Sequence, residues 1–577
     1  MQDRKKLMSG NSDFLSLQAG GYYYVDKTLL IKDLLDHPAM VTLITRPRRF
    51  GKTLNMSMLQ AFFEKDSGGE AYFRKLNIWK CGEAYTKHCG AYPVISLSLK
   101  DVKGNDWNSM YGQFCNVIRN EVGRLEAKGM LSGADAVQRI GLEAVISGQA
   151  DQTVYMNSLQ TLAIAVSRTT GRPPIIFIDE YDVPIHEAHE KGYYEEALDF
   201  EKTWLSAGLK DNPNLQFAVV TGVLRIAKES IFSDLNNLKV YSITSDLYAE
   251  YFGFTEEEVG ELAEYYGVPE RVKEIQDWYD GYHIGSREIY NPWSVVNYFS
   301  EGCRTYAFWS QTSRNSILRS MLQKADDAQK QELRELLEGG VCEKIISDSI
   351  IYSLLDEKSM EKAPSDPVAL YTLLVMTGYL KIEKILRTLS TAYVCEVKIP
   401  NREIRSLFAE EILDACRDLM PVAMSTRFDD ALVSNDAEKL QKTMREFLLQ
   451  STSVHDLANE VFYQGLLTGL CAVMYENYYL TGNHESGEGR YDIQLEPKDK
   501  NQPGILIELK VYTGSKQGAE LQAALEQLAE QAVGQIEKKS YCTDLQMHGC
   551  HSILLYGMAF KGKQVQVVSK KMEEVSE

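Results

Sequence analysis

Two short stretches of the sequence contain residue types that can bind a nucleotide. The first contains Gly51, Lys52 and Thr53 directly after an apolar run and an arginine-rich loop. A lysine there can reach the β- and γ-phosphates, a threonine hydroxyl can hold magnesium, and the N-terminus of a following helix favours anions. The second is the apolar run IIFI, which is followed by Asp179 and Glu180. Asp179 is a candidate Mg²⁺ ligand, and Glu180 is a candidate to orient or deprotonate the attacking water.

The loop before Gly51 departs from the usual glycine-rich pattern. Arg46 stands where the first glycine normally relieves a tight turn, and Pro47 stiffens that turn. A chance Gly-Lys-Thr and a buried strand that ends in two solvated acids would each explain one stretch alone. Together they favour a Walker A and Walker B pair that binds ATP and Mg²⁺, with Thr53 and Asp179 as metal ligands. The predicted nucleotide-binding residues are Arg46, Pro47, Arg48, Arg49, Phe50, Gly51, Lys52, Thr53, Leu54 and Asp179.

A second group of candidate catalytic residues lies in the last part of the sequence. In the stretch Ile505–Val511 apolar residues alternate, so that Glu508 and Lys510 share one face of a predicted strand. Asp492 precedes them in another predicted strand, and the connection EPKDKNQPG is typical of a hairpin that would bring the three together. Two carboxylates can bind divalent cations, and a lysine can stabilise developing negative charge. The pattern predicts metal-dependent phosphodiester hydrolysis, with two amphipathic strands and a salt bridge as the alternative.

The elements that must position the first group are those of an α/β sandwich. Continuous apolar runs predict parallel strands that are covered on both faces, with helical segments between them. The predicted strands are Met40–Thr45, Tyr92–Leu99, Pro173–Asp182 and Leu215–Val223, and a helix is predicted from about Lys52.

We divide the chain into three predicted domains. Residues 1–250 form a P-loop ATPase domain around the parallel sheet. Residues 251–440 form a mostly helical lid or linker region, in which Thr255 caps the first helix. Residues 441–577 form a compact α/β unit with the order helix, strand, strand, helix, strand.

Composition restricts the class of protein. The chain has 577 residues, of which 44% are hydrophobic and 25% charged, as in soluble multidomain proteins. No apolar run is long enough to span a bilayer and no signal peptide is evident, so we expect a cytoplasmic protein without membrane contact. The formal net charge of −19 argues against non-specific coating of nucleic acid by the whole chain.

Five long motifs give the chain a family resemblance. They are YYVDKTLLIKDLL, LITRPRRFGKTLNMSML, IIFIDEYDVPI, VVTGVLRIAKESIFSDLNNL and YNPWSVVNYF. With them the chain resembles the bacterial AAA-ATPase-like family that is often joined to a PD-(D/E)xK nuclease-like domain. In that family the loop characteristically reads Arg-Pro-Arg-Arg-Phe-Gly-Lys-Thr, as residues 46–53 do here. The resemblance implies an AAA-like P-loop core, a mostly helical middle region and a C-terminal restriction-endonuclease-like α/β domain.

The nuclease motif of this resemblance is matched by three residues. Asp492, Glu508 and Lys510 take the positions of the two acids and the lysine, and Asp492 and Glu508 are the implied metal ligands. The proline of the founding motif is absent, because Tyr491 precedes Asp492. That departure is common in the superfamily.

The resemblance also adds residues from the helices around this motif. Glu460 resembles the acid of the first helix in this nuclease fold and is a further candidate metal ligand. The family often has histidine where Gln464 stands. Gln535 and Tyr541 match a Gln…Tyr feature that follows the catalytic lysine in such domains.

One arginine is a candidate catalytic residue of the nucleotide site. Thr221 ends the strand after the Walker B segment, where a sensor residue would lie, and Arg225 follows four residues later. An arginine there can stabilise charge on the transferring phosphoryl group, in cis or across the interface of a homo-oligomer. An ordinary ion pair is the alternative explanation, and the sequence does not give the oligomeric state.

The leading hypothesis is an ATP-dependent or ATP-regulated nuclease. ATP binding would change domain geometry and so control a metal-dependent phosphodiesterase that acts on nucleic acid, with DNA favoured and a role in DNA processing or defence by analogy. The first alternative is a signalling NTPase switch whose nuclease-fold domain serves as a binding module. The second is a sugar- or protein-binding role for the aromatic motifs DWYDGYHIG and NPWSVVNYF, for which core packing is the simpler explanation.

Overall fold

The computed structural model divides the chain into two compact units. The first comprises residues 1–309 and 341–402, and the second comprises residues 310–340 and 403–577. The structure describes residues 4–226, 235–309, 340–350, 367–408, 422–451, 477–486 and 489–573, together with Glu332, Leu336, Tyr463, Gln464, Leu466, Leu467, Leu470, Cys471 and Met474. The division into three domains stays a prediction.

The first unit is built on a five-stranded parallel sheet. Its strands are Val41–Thr45 (β1), Val94–Ser98 (β2), Ile175–Asp179 (β3), Phe217–Gly222 (β4) and Leu238–Tyr241 (β5). They lie in the spatial order β2, β3, β4, β1, β5, and each neighbouring pair is parallel. The apolar runs predicted the first four strands, and every residue of β1 and β3 is buried.

Parallel pairing brings the candidate nucleotide residues to one edge of this sheet. Ile44 of β1 lies opposite Thr221 of β4, and Ser98 of β2 lies opposite Asp179 of β3. Since all strands point the same way, the carboxyl ends of β1, β3 and β4 meet at this edge. Open parallel sheets of this kind bind ligands outside the carboxyl ends of their strands.

Helices connect these strands, as parallel pairing requires. The helix predicted from Lys52 is confirmed as Lys52–Phe63. The helices between the start of the chain and β4 are Phe14–Ala19, Leu29–Asp36, Lys52–Phe63, Glu70–Phe73, Asn77–Lys80, Glu83–Thr86, Trp107–Ala127, Ala136–Ser147, Gln152–Met156, Ser158–Thr170, Val183–Lys191 and Tyr194–Leu209.

The middle part of the chain adds further helices and two small antiparallel sheets. The helices are Glu256–Tyr266, Val272–Tyr279, Pro292–Ser300 and Pro367–Thr377, with 3₁₀ turns at Ala249–Tyr251 and Pro269–Arg271. The strands are Tyr282–Ile284 (β6), Arg287–Ile289 (β7), Cys342–Ser347 (β8), Lys381–Thr388 (β9) and Ala392–Lys398 (β10). β6 pairs with β7, and β10 lies between β8 and β9. The predicted helical region is confirmed, and the two sheets are an addition to it.

Local sequence explains how this middle region begins. Thr255 caps the helix Glu256–Tyr266 in a capping box, in which Thr255 and Glu258 each accept a hydrogen bond from the other's backbone N–H. Three glutamates in the first turn suit the positive end of the helix dipole. The aromatic motifs contribute to a hydrophobic core that includes Trp278 and Tyr298. Core packing therefore accounts for these two residues without a sugar or a protein ligand.

The second unit is built on a five-stranded mixed sheet. Its strands are Tyr478–Ser486 (β11), Gly489–Pro497 (β12), Gly504–Val511 (β13), Ser552–Lys561 (β14) and Gln564–Glu573 (β15). They lie in sequence order, and only β13 and β14 are parallel among the pairs described. The described helices are Val422–Val433, Ala437–Ser451, Gly518–Lys538 and Thr543–Met547. The sequence pattern predicted the three central strands and missed β11 and β15.

Packing on the two faces of this sheet confirms part of the predicted alternation. Ile505, Ile507 and Leu509 of β13 lie in one hydrophobic core, and the intervening Leu506 lies in another. In β12, Tyr491 and Ile493 lie in different cores, although strict alternation would place them in the same one. Asp492 therefore lies at an irregular point of β12. Within the described part of the chain, no helix combines the length and the apolarity needed to cross a bilayer.

Candidate functional site

The lysine of the loop after β1 is hydrogen-bonded to the backbone of that same loop. Gly51 has a φ of 78°, which a glycine adopts without strain, and it caps the helix Lys52–Phe63. The Lys52 side chain is buried, and its Nζ donates hydrogen bonds to the carbonyl oxygens of Arg46 at 3.1 Å and Pro47 at 2.9 Å. Burial lowers the pKa of Lys52, and the nearby charge of Glu180 opposes this. Phosphate oxygens could replace the two neutral carbonyls and would give this buried cation a charged partner.

The predicted magnesium ligands of the nucleotide site are in direct contact. Thr53 Oγ1 donates a hydrogen bond of 2.7 Å to Asp179 Oδ2 at the end of β3. The other oxygen, Asp179 Oδ1, accepts a hydrogen bond from Oγ1 of Thr221 in β4. Thr221 is completely buried. Both oxygens are hard donors of the kind that Mg²⁺ prefers, and the fixed carboxylate orientation fits such an ion. The structure thus brings Thr53, Asp179 and the predicted sensor Thr221 into one cluster.

Glu180 follows Asp179 in a strained backbone conformation. Its φ of 54° lies in the left-handed region, which costs a non-glycine residue about 1–2 kcal/mol. The residue is half-buried. Such strain concentrates at functional sites, where the surrounding structure enforces it. Its position is consistent with the predicted role of Glu180 as the acid that faces the attacking water.

Arg46 is occupied by the protein itself. Its side chain is completely buried, and Nη1 donates hydrogen bonds to the carbonyl oxygens of Thr45, Tyr241 and Ser242. The guanidinium also lies 5.4 Å from the ring centroid of Phe252. Burial lowers the pKa of Arg46 to about 9. The arginine at the position of the missing glycine therefore joins the loop to the end of β5 in this structure.

The remaining predicted loop residues differ in exposure. Pro47 and Phe50 are buried, Leu54 is half-buried, and Arg48 and Arg49 are exposed. Only the last two thus present charged groups from the loop surface. Their exposure keeps both available for phosphate contact, which stays a prediction.

The second site is assembled at the irregular point of β12. β12 and β13 pair with Ile493 opposite Ile507, which brings Asp492 to the level of Glu508. Asp492 Oδ2 accepts a hydrogen bond of 2.7 Å from the backbone N–H of Leu509. Lys510 Nζ lies 3.1 Å from Glu508 Oε1. The hairpin therefore brings the three predicted catalytic side chains together.

Glu508 carries the electrostatic signature of this site. The residue is only 2% exposed, and Oε2 has no hydrogen-bond partner among the residues that the structure describes. Burial, followed by the charge of Asp492, raises the pKa of Glu508 to about 7. An unpaired buried carboxylate oxygen is costly, and a cation between two carboxylates would remove the cost. The donor set of Asp492 and Glu508 therefore fits a divalent metal ion.

The helices around this site supply further contacts. Gln535 Nε2 donates hydrogen bonds to Glu508 Oε1 and, at 3.3 Å, to the Tyr541 hydroxyl, so the predicted Gln…Tyr pair touches the site. Gln464 Nε2 donates to the Asp492 carbonyl oxygen at 3.3 Å. The predicted ligand Glu460 lies outside the described residues. Within the described residues, no three acidic, histidine or cysteine side chains gather as a metal cluster.

Two family models match the chain. Residues 9–232 match a model described as a predicted AAA-ATPase, and residues 458–570 match one described as the PD-(D/E)XK nuclease superfamily. The chain joins an AAA-ATPase-like part to a PD-(D/E)XK nuclease superfamily domain. A protein described as "uncharacterized protein in vnfD 5′ region", from Azotobacter chroococcum mcd 1, is 25% identical over 584 residues and is matched over 99% of both chains. The similarity to that relative extends over the whole length of both chains, and its name states no activity.

In the AAA-ATPase-like part, two residues that sequence reasoning missed connect the end of β3 to the segment before Arg225. Tyr181 donates a hydrogen bond from its hydroxyl to the Leu224 carbonyl oxygen at 2.8 Å. Asp182 Oδ2 accepts hydrogen bonds from the backbone N–H groups of Val223 at 3.0 Å and Leu224 at 2.8 Å. The sequence signal was their place directly after Glu180, but their partners are about 40 residues away along the chain.

Arg225 itself contacts the segment that follows β8. Its guanidinium lies 4.0 Å from Asp348, and its carbonyl oxygen accepts a hydrogen bond from the Ile350 backbone at 2.8 Å. The ion-pair explanation of Arg225 is therefore represented in this structure. Its catalytic role stays a prediction.

Proposed function

We propose that the chain binds and hydrolyses ATP with Mg²⁺, and that this reaction controls a metal-dependent phosphodiesterase that acts on nucleic acid. The observation that carries the proposal is that each part gathers the side chains its chemistry needs. In the nucleotide site Thr53 donates to Asp179, and among the described residues Lys52 is hydrogen-bonded only to loop carbonyls. In the nuclease site Lys510 contacts Glu508, and Asp492 accepts from the backbone of the neighbouring Leu509. DNA is the favoured substrate.

In the nucleotide site, each side chain would have a separate task. Lys52 would transfer its hydrogen bonds from the loop carbonyls to the β- and γ-phosphates. Thr53 and Asp179 would hold Mg²⁺, which supplies charge neutralisation at the phosphates. Glu180 would orient the attacking water and accept its proton. Thr221 keeps the Asp179 carboxylate in place through the hydrogen bond to Oδ1.

In the nuclease site, Asp492 and Glu508 would hold a divalent ion through their oxygens, and that ion supplies the activation of water. Glu508 would be ionised in that state, since a bound cation favours the carboxylate. Lys510 would stabilise negative charge that develops at the phosphodiester. Gln535 fixes the rotation of the Glu508 carboxylate by its hydrogen bond to Oε1.

The test separates the two activities in the full-length chain. Purified protein is incubated with Mg²⁺ or Mn²⁺ and with linear, circular and single-stranded DNA and RNA, each with and without ATP. Asp492→Asn and Lys52→Ala are the variants, and ATP hydrolysis is measured beside cleavage. We expect Asp492→Asn to lose cleavage and keep ATP hydrolysis.

We further expect that Lys52→Ala loses ATP hydrolysis and the response of cleavage to ATP. Cleavage that is unaffected by Asp492→Asn would refute the nuclease assignment. ATP hydrolysis with no cleavage of any substrate would favour the signalling switch instead. Cleavage that is indifferent to ATP and to Lys52→Ala would refute the coupling alone.

A further inference from the structure

Residues of the middle region fix the shape of the nucleotide loop. Phe50 is completely buried, and its ring lies edge-on to Tyr282 at a centroid distance of 4.9 Å. A Cβ added at Gly378 would lie only 3.1 Å from the Cβ of Pro47. The loop is therefore held by packing at Pro47 and Phe50 on one side, while the intervening arginines remain exposed.

Arg49 lies over an aromatic ring of the same region. Its guanidinium carbon is 4.1 Å from the centroid of the Trp293 ring, which is the geometry of a cation–π contact. The Trp293 indole N–H donates to the Phe308 carbonyl oxygen at 3.4 Å, and its ring packs against the buried core of the middle region. The Trp293 backbone N–H is held by Asn291 at 3.0 Å. Groups other than Arg49 thus determine where this ring lies.

Arg49 also experiences the negative charge of Glu180, the proposed Walker B acid. Burial lowers the pKa of Arg49, and the negative charge of Glu180 opposes that effect. Both residues have a left-handed backbone, with φ values of 70° for Arg49 and 54° for Glu180. Two strained residues that interact across one site indicate a functional constraint. Arg49 thus contacts the Trp293 ring and experiences the charge of the acid that would face the terminal phosphate.

We propose that Arg49 distinguishes nucleoside triphosphates from diphosphates, and that Trp293 holds its guanidinium in the nucleotide-free state. On triphosphate binding, Arg49 exchanges the indole face for the terminal phosphate. The inference rests on the proposed nucleotide binding and adds a specificity-determining pair to it. No bond is made or broken in this exchange.

The relative strengths of the two contacts decide its direction. A cation–π contact at an exposed site is weak, whereas arginine makes charge-assisted, bidentate hydrogen bonds to phosphate. The guanidinium of Arg49 therefore binds the terminal phosphate of a triphosphate, whereas with a diphosphate it stays on the Trp293 ring. Because the stack must be broken first, it reduces triphosphate affinity by roughly two- to fivefold.

The experiment measures Kd for Mg·ADP and for the magnesium complex of the β,γ-imido analogue of ATP by equilibrium dialysis, together with tryptophan emission. The full-length protein is compared with Trp293→Leu, Trp293→Phe and Arg49→Met. Trp293→Leu removes the stack, Trp293→Phe keeps an aromatic face but removes the fluorophore, and Arg49→Met removes the guanidinium.

We expect the analogue, but not ADP, to change the emission of the wild-type protein. Trp293→Phe should lose this response and keep both Kd values within about twofold. Trp293→Leu should bind the analogue roughly two- to fivefold more tightly and ADP unchanged. Arg49→Met should weaken binding of the analogue at least tenfold, leave ADP unchanged and give no emission response.

Two results would overturn the inference while nucleotide binding stands. One is an equal loss of ADP and analogue affinity in Arg49→Met. The other is an emission response that persists in Trp293→Phe or in Arg49→Met. If Trp293→Leu does not fold, the Arg49→Met and Trp293→Phe proteins still decide between these outcomes. Absence of any nucleotide binding to the wild type would instead refute the proposed function, and the inference with it.

Discussion

Asp182 offers a stability test of the connection between the end of β3 and the segment that follows β4. The residue is 3% exposed, and Oδ2 accepts the backbone N–H groups of Val223 and Leu224. Asp182→Ala would leave both N–H groups buried without an acceptor. Each such loss costs about 1–3 kcal/mol, so the variant should lose roughly 2–6 kcal/mol of unfolding free energy. Asp182→Asn keeps a carbonyl oxygen for the same two donors and is the matched control.

The stabilities of the wild type and of Asp182→Asn should depend differently on pH, because only the wild type carries a buried carboxyl group at residue 182. Burial raises the pKa of Asp182 from 3.8 to about 6. Because the folded-state pKa lies above the usual value, the carboxyl group favours folding when protonated, and that contribution is lost as the pH rises from about 4 through about 6. A shift of about two units corresponds to about 3 kcal/mol above pH 7. Asn carries no charge, so Asp182→Asn should be as stable as the wild type near pH 4 and more stable by up to that amount at pH 8.

Thermal unfolding of the wild type, Asp182→Asn and Asp182→Ala at pH 8 and at pH 4 gives the measurement. For a unit of this size, about 1 kcal/mol moves the midpoint by roughly 1–2 °C. At pH 4 we expect Asp182→Ala to unfold several degrees below the wild type and Asp182→Asn to match it. At pH 8 both uncharged variants should gain stability relative to the wild type by the same amount, so that Asp182→Asn unfolds above the wild type and Asp182→Ala stays below Asp182→Asn. If Asn destabilises as strongly as Ala at pH 8, the charge itself is required and the argument from burial is wrong.

The remaining predictions concern the two sites. Thr221→Val removes the buried donor to Asp179 and should lower kcat for ATP hydrolysis by roughly 10- to 100-fold. Thr221→Ser keeps the hydroxyl, so its kcat should stay within about threefold of wild type. Equal rates for the two variants would refute the role of the hydrogen bond. In Gly51→Ala the added Cβ meets no atom within 4 Å, but alanine must adopt a φ of 78°. The variant should therefore destabilise the loop by about 1–2 kcal/mol and weaken nucleotide binding, measured by equilibrium dialysis. Unchanged affinity would show that the loop adapts. Gln535→Leu removes the donor to Glu508 and should reduce kcat of the nuclease by about tenfold or more, with helicity by circular dichroism unchanged. Loss of helicity would instead show that Gln535 is needed for folding.

Much of the fold followed from local patterns. The β-branched runs predicted four of the five strands of the parallel sheet, and the capping box at Thr255 predicted a helix start that the structure confirms. The outer strand β11 was missed because its sequence, YYLTGNHES, is mostly polar. The outer strand β15, QVQVVSKKME, was missed because its alternation of polar and buried apolar residues stops after Val567. The irregularity at Asp492 was also missed, since it depends on which core Tyr491 enters and not on the period of β12.

Sequence alone determined which residue types are available at each site and which of them lie close along the chain. Lys52 and Thr53 begin a helix, and Glu508 and Lys510 share a strand face, because spacing in helices and strands fixes direction. Tertiary structure alone decided the partners that are distant in sequence. The buried Arg46 meets carbonyls at the end of β5, and Arg49 meets Trp293, because these contacts depend on how separate elements pack and carry no local sequence pattern.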